Sequence, residues 1–246
     1  MPLQARKILF SVCTLYYCVT LTKSCLSAPW ELSGFQQELS QLNGSSPVEP
    51  SGARSPGRIS LSTGLEVVSL NQNQASNLQI FPEEAKISKG FLSWSQGLFY
   101  PLSLGASFAT VTTQIKSKKS INQLSANLKW TIFESFGLPA VSAYLQWSRT
   151  FGLDKYDLQS STGNLQASWG YKRLSLYSGL SLHHHQLKLQ EVDQKDSSQQ
   201  PTETFNHLST QLGGQLQIIP AKLAFSIENA KTSFSNLYRA KLSYEF

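Results

Sequence analysis

The sequence predicts an all-β fold: about ten antiparallel strands closed into a barrel that spans a membrane, with eight or twelve strands as the alternatives. Three observations carry this expectation. From Arg58 to Phe246 the chain alternates apolar and polar residues again and again at a period of two, the period at which a strand sorts its side chains onto two faces. The first thirty residues have the grammar of an export signal. The breaks between alternating runs are short and long in turn, as in a barrel with tight turns at one end and loops at the other.

The N-terminal stretch MPLQARKILFSVCTLYYCVTLTKSCLSAPW places Arg6 and Lys7 before a mostly apolar run from Ile8 to about Leu21, followed by the small residues Ser27 and Ala28. Basic, apolar and small regions in that order are read by the export machinery as a signal peptide. The run falls short of the ~20 apolar residues of a membrane-spanning helix, and Ser11, Thr14 and Thr20 dilute it. Residues 1–28 are therefore expected to be cleaved near Ser27 or Ala28. A lipid-modified Cys25 is the competing reading, disfavoured by Lys23 two residues before it. All three cysteines, Cys13, Cys18 and Cys25, lie in this segment, so the processed chain has no thiol from which to build disulfides.

Charge excludes one class of partner. The chain has 21 Lys and Arg against 15 Asp and Glu; removing Arg6, Lys7 and Lys23 leaves 18 against 15, a balance of +3. No basic run with interleaved aromatics accompanies it, so nucleic acid is not an expected partner.

Residues 29–57 are expected to form a leader and flexible linker. Leu32, Phe35, Leu39 and Leu42 recur at helical spacing before Asn43-Gly44, which suggests a short amphipathic helix. The SSPVEPSGARSPG that follows is a connector by composition. A plug entering the barrel, or a partner-binding helix, is the sharper alternative for a helix this short.

The barrel is expected over 58–246. Ile59, Leu61, Thr63, Leu65 and Val67 oppose Ser60, Ser62, Gly64 and Glu66. The same pattern recurs from Leu92 to Tyr100, from Leu102 to Ala109, from Leu124 to Ile132 and from Val141 to Ser148. It continues from Leu165 to Tyr171, Leu174 to Leu182, Leu208 to Ile218 and Ala221 to Ile227, and finishes on NLYRAKLSYEF. One set of faces carries Leu, Ala and aromatics; the other carries Ser, Gly, Gln, Asn and charges. A sandwich could bury the apolar faces against each other. Tyr100, Trp130, Trp147, Trp169, Tyr171, Tyr238 and Tyr244 on those faces instead match aromatic girdles at lipid interfaces. Long loops are expected near 71–86, 116–120, 153–156, 191–203 and 230–235.

The final strand, LYRAKLSYEF, with Phe246 last and Tyr244 two before it, resembles the C-terminal strand of bacterial outer-membrane β-barrel proteins. The motif covers ten residues and the broader pattern 58–246. This resemblance implies an outer-membrane location with lipid as the surrounding partner and the leader in the periplasm. It also implies that Tyr244 and Phe246 are the signal read by the barrel-insertion machinery.

Glu66, Lys129, Lys222, Glu228, Arg239, Lys241 and Glu245 fall on the polar parity and are expected to face the lumen. Register favours a Glu228–Arg239 pair, with Lys222 and Glu245 meeting nearer the turn end. A ten-stranded barrel is little wider than the eight-stranded case, whose interior side chains fill. The expected function is accordingly a structural or surface-interaction barrel with a filled lumen. A narrow porin-like channel for ions or small solutes is the alternative.

The LHHHQ stretch invites chemistry, because His183 and His185 share the lumen face. They could ligate a metal given a third ligand, but Glu191 belongs to a loop and His207 is the one histidine elsewhere. Neither a full ligand set nor a catalytic triad can be assembled from sequence. No cofactor is therefore expected, and a barrel enzyme using these rim histidines is the least favoured reading.

Overall fold

A computed structural model describes residues 36, 39, 40, 55–70, 86–112, 120–135, 138–153, 156–189, 202–233 and 235–246. They form ten strands: β1 (Ile59–Leu70), β2 (Lys86–Phe99), β3 (Leu102–Val111), β4 (Asn122–Phe133), β5 (Ala140–Phe151), β6 (Tyr156–Tyr171), β7 (Leu174–Leu189), β8 (Thr202–Ile219), β9 (Leu223–Lys231) and β10 (Ser235–Glu245). Each strand pairs antiparallel with its sequence neighbours, and β1 pairs with β10 to close the barrel. That closing ladder runs unbroken from Ser60 opposite Glu245 to Leu70 opposite Ser235, so no edge is left unpaired. The expected signal peptide (1–28), most of 29–57 and the centres of the long loops lie outside the described residues.

The strands begin where alternation begins and end at turn chemistry. β2 and β3 are separated by Tyr100-Pro101, β6 and β7 by Lys172-Arg173, and β8 and β9 by Pro220 to Lys222. These connections define the turn end of the barrel; the long connections define its loop end. β2 already begins at Lys86, β6 at Tyr156 and β8 at Thr202, while β9 runs to Lys231 and β10 begins at Ser235, trimming four of the expected loops.

The start of one expected strand is displaced. Ala221 adopts a left-handed backbone with φ 55°, a conformation that side chains other than glycine seldom take. It closes the turn there, and β9 starts two residues later at Leu223. Lys222, expected in the lumen, is exposed in this turn instead.

Side chains sort by parity with few exceptions. Ser62, Ser107, Ser125, Ser142, Thr162, Gln166, Ser181 and Ser226 are among the buried inward residues, while Leu65, Leu92, Leu145 and Ile227 point outward and are largely exposed. Small hydroxyls inside bond across the ladder: Ser62 to Ser243 at 3.1 Å and Ser148 to Ser160 at 2.7 Å. These four hydroxyls, removed from water, thereby find partners.

Candidate functional site in the barrel lumen

The lumen is built in layers, and its middle layer is a single row of register partners. Lys89 on β2 faces Glu66 on β1, which faces Arg239 on β10, which faces Glu228 on β9. Charges of alternating sign therefore sit side by side on four adjacent strands. Lys89 Nζ donates to Glu66 Oε1 at 2.8 Å. Arg239 Nη2 donates to Glu66 Oε2 at 2.6 Å, and Arg239 Nη1 donates to Glu228 Oε1 at 2.8 Å. All four residues are buried. Burying charge is costly unless it is paired and fully hydrogen-bonded. One guanidinium spanning two carboxylates, with an ammonium completing the first, meets that condition.

The row continues through Gly213 on β8, opposite Glu228, to Tyr177 on β7. Gly213 is there because Tyr177 lies across it: a Cβ at 213 would stand 2.3 Å from the ring. The space lets the buried Tyr177 hydroxyl reach Glu228 Oε2 at 3.3 Å. Lys129 is buried on the far wall with its ammonium 5.7 Å from the centre of the Tyr144 ring, a cation–π contact. Lys241, two residues from Arg239, is likewise buried. Glu245 lies near the turn-end rim, where it accepts from Arg58 Nη1 at 2.9 Å. Its expected neighbour Lys222 meets it by backbone alone, Glu245 N donating to Lys222 O. Lys89 was not anticipated, although its shared parity with Phe91, Ser93 and Ser95 marks it as inward.

Toward the loop end the lumen turns apolar. Val68, Ile87, Ile121, Leu153, Leu158, Leu187, Phe205, Ala230 and Leu237 form one buried cluster drawn from around the barrel, and Leu39 sits within it with no exposed surface. Gln36, Leu39 and Ser40 are helical, and Gln36 Nε2 donates to Glu203 Oε1 at the start of β8. The segment expected as a periplasmic leader places Leu39 inside the barrel, packed against this inward apolar ring.

Between these layers stand the histidines. His183 and His185 on β7 and His207 on β8 are buried, with His183 directly opposite His207 in register. The His183 and His207 rings stack with centroids 4.3 Å apart, and His185 stacks on Phe205 at 4.7 Å. Thr162 Oγ1 lies 3.0 Å from His183 Nδ1 and Ser209 Oγ 2.8 Å from His183 Nε2. His185 Nε2 and His207 Nδ1 are 3.2 Å apart. The candidate ligating atoms of the three side chains all lie within 4.8 Å of one another. Sequence spacing could not bring His207 here; only the β7–β8 register does.

The exterior decides the class. Phe99, Tyr100, Trp130, Phe133, Tyr171, Tyr244 and Phe246 are exposed near the turn end, and Phe108, Trp147, Phe151 and Tyr238 toward the loop end. Between these two aromatic belts the outward face is mainly Leu, Ile and Ala with a few small residues such as Thr63; Leu145 is 64% exposed and Leu65 62%. A closed antiparallel barrel with a polar interior and an apolar, aromatic-rimmed exterior has lipid as its solvent.

The chain is a closed, ten-stranded transmembrane β-barrel. No protein-family model matches the sequence, and no curated protein matches it either. Among solved structures it is similar to Ail of Yersinia pestis in complex with the heparin analogue sucrose octasulfate, at 15% identity and a TM-score of 0.32, covering 78% of this chain and 99% of that one. It is similar to the outer membrane protease OmpT of Escherichia coli at 10% identity and a TM-score of 0.43, over 80% of this chain and 100% of that one. It is similar also to OprG of Pseudomonas aeruginosa at 10% identity and a TM-score of 0.30, over 80% and 99%. The class itself rests on the closed barrel and its exterior.

Proposed function

We propose that this barrel is a sealed structural or surface-interaction component of the outer membrane rather than a conduit. The observation that carries the reading is the Lys89–Glu66–Arg239–Glu228 row, whose four charged side chains are buried against one another instead of lining a wetted path. A water-filled channel leaves its charged residues hydrated so that ions can exchange with them. Above the row, the apolar layer containing Leu39 adds a second barrier that ions cross only by dehydrating.

The surface role is supported by strand length. β6 and β7 have 16 residues each and β8 has 18, against 9 for β9. Sixteen tilted residues reach roughly 40 Å along the axis, well beyond an apolar band about 25 Å tall. On β7 the outward residues pass from Leu180 and Leu182 to His184, Gln186 and Lys188. His184 meets the outward Asn206 at 2.7 Å. This polar wall stands clear of lipid on the loop side and is presented to whatever approaches the cell.

Purified protein in planar bilayers tests the sealed lumen. The expected record shows no steady conductance; a stable single-channel conductance in the unaltered protein would reject it in favour of a narrow pore.

A further inference from the structure

We propose that His183, His185 and His207 form a site for one divalent transition-metal ion of the imidazole-preferring kind, such as zinc, nickel or copper. The proposal does not depend on whether the lumen conducts.

Three buried imidazoles from two strands converge, with their ligating atoms within 4.8 Å of one another. Two of those atoms, His185 Nε2 and His207 Nδ1, stand 3.2 Å apart. Two nitrogens each about 2.0–2.1 Å from a tetrahedral zinc are separated by roughly 3.3 Å, so this edge already has the spacing of a ligand pair. His185 Nδ1 is buried and has no hydrogen-bond partner among the described residues. His185 is thus held by its stacking on Phe205 and through Nε2, the atom it would offer to an ion.

The surroundings suit neutral imidazole ligands. Thr162 Oγ1 at His183 Nδ1 can accept the N–H of a ring that coordinates through Nε2. That is the role outer partners play at metal-bound histidines, fixing tautomer and orientation. His183 then exchanges the Ser209 hydroxyl at Nε2 for the ion. Phe205, stacked on His185, shields the other side. An all-nitrogen set selects zinc, copper or nickel over magnesium or calcium, which take oxygen ligands. Three protein ligands leave a fourth position for water or an incoming group.

The site also sits at an informative height. Its inward residues alternate with Leu182 and Leu208 below and with His184, Gln186 and Asn206 above on the outward face. It therefore lies where the wall leaves the lipid band, on the loop side.

The test uses untagged, folded, chelator-treated barrel in detergent, titrated with cobalt(II) and then zinc(II). We expect one equivalent of cobalt to give the visible absorption of four-coordinate cobalt, bleached by one equivalent of zinc. His207→Ala and His183→Ala should each weaken binding by about 100-fold or more, and Thr162→Val by about 10–100-fold. His184→Ala, outward and exposed, should leave it unchanged. Heat-modifiable migration on gels checks that each variant is folded, and His207→Gln replaces any alanine variant that is not. Absence of stoichiometric cobalt binding by the unaltered barrel overturns the proposal. So does full binding in folded His207→Ala or His207→Gln, or equal loss in His184→Ala.

Discussion

Arg239 on β10 donates to Glu66 on β1 at 2.6 Å, so the ion pair at the centre of the lumen also bridges the seam where the barrel closes. Closure by backbone bonds alone would leave the register of that seam set by hydrophobic alternation. A buried charge pair adds specificity, because a slip of one residue would turn one of the two charges toward lipid and leave the other unpaired in the lumen. Arg239 reaches Glu228 as well, tying β1, β10 and β9 through one side chain.

Arg239→Ala should therefore destabilise the barrel by about 3–5 kcal/mol, the cost of leaving buried partners uncompensated. It should also open a leak in planar bilayers. Arg239→Lys should recover only part of the loss, since one ammonium cannot bridge two carboxylates as a planar guanidinium does. Urea unfolding in lipid vesicles measures both. An unchanged midpoint in Arg239→Ala would show that the row is incidental to stability.

Gly213→Ala puts a methyl 2.3 Å from the Tyr177 ring and should cost about 1–3 kcal/mol through overpacking. Tyr177→Leu introduced with it should restore part of the loss. Gly90→Ala is the internal control, since nothing lies within 4 Å of a Cβ there. Equal behaviour of the two alanine variants would mean that the Tyr177 contact is not tight.

Leu39 is wholly buried in the loop-end apolar cluster. Leu39→Ala should lower stability by about 2–5 kcal/mol, as deletion of a buried leucine side chain does. Leu39→Asp should do more, by placing an unpaired charge in that cluster. Chemical unfolding of the folded barrel reads both. A Leu39→Asp variant as stable as the unaltered protein would place Leu39 outside the lumen.

Phe246 is 68% exposed on the lipid-facing side, with its ring edge-on to Tyr244 at 4.8 Å and its N–H bonded to Ile59 O. Phe246→Asp should reduce the heat-modifiable folded form in membranes, while Phe246→Trp should preserve it. Membrane fractions analysed with and without boiling decide the matter.

Much of this molecule is legible because a barrel obeys one local rule. Period-two alternation is written residue by residue, so strand number, inward and outward faces and the Glu228–Arg239 pairing all follow from counting. The turn at Ala221 escaped the count because Pro220-Ala221-Lys222 fits alternation as well as it fits a turn. The positive φ that removes Lys222 from the lumen leaves no mark in composition. Val68, Ile87, Leu158, Leu187 and Leu237 did leave one: each is an apolar residue on the inward parity, at the loop end of its strand.

By itself the sequence determined the chemistry of each face, and with it the choice of lipid as solvent. That choice depends on which side chains share a side of a strand and on the aromatic residues carried by the apolar faces. Beyond the Glu228–Arg239 pair, tertiary structure alone decided which lumen groups meet. Lys89 reaches Glu66 across the 71–85 connection, Arg239 reaches Glu66 only through closure of the ring, and His207 reaches His183 only through the β7–β8 register. Those contacts depend on closure and register, which are collective properties of ten paired strands and are encoded in no single one of them.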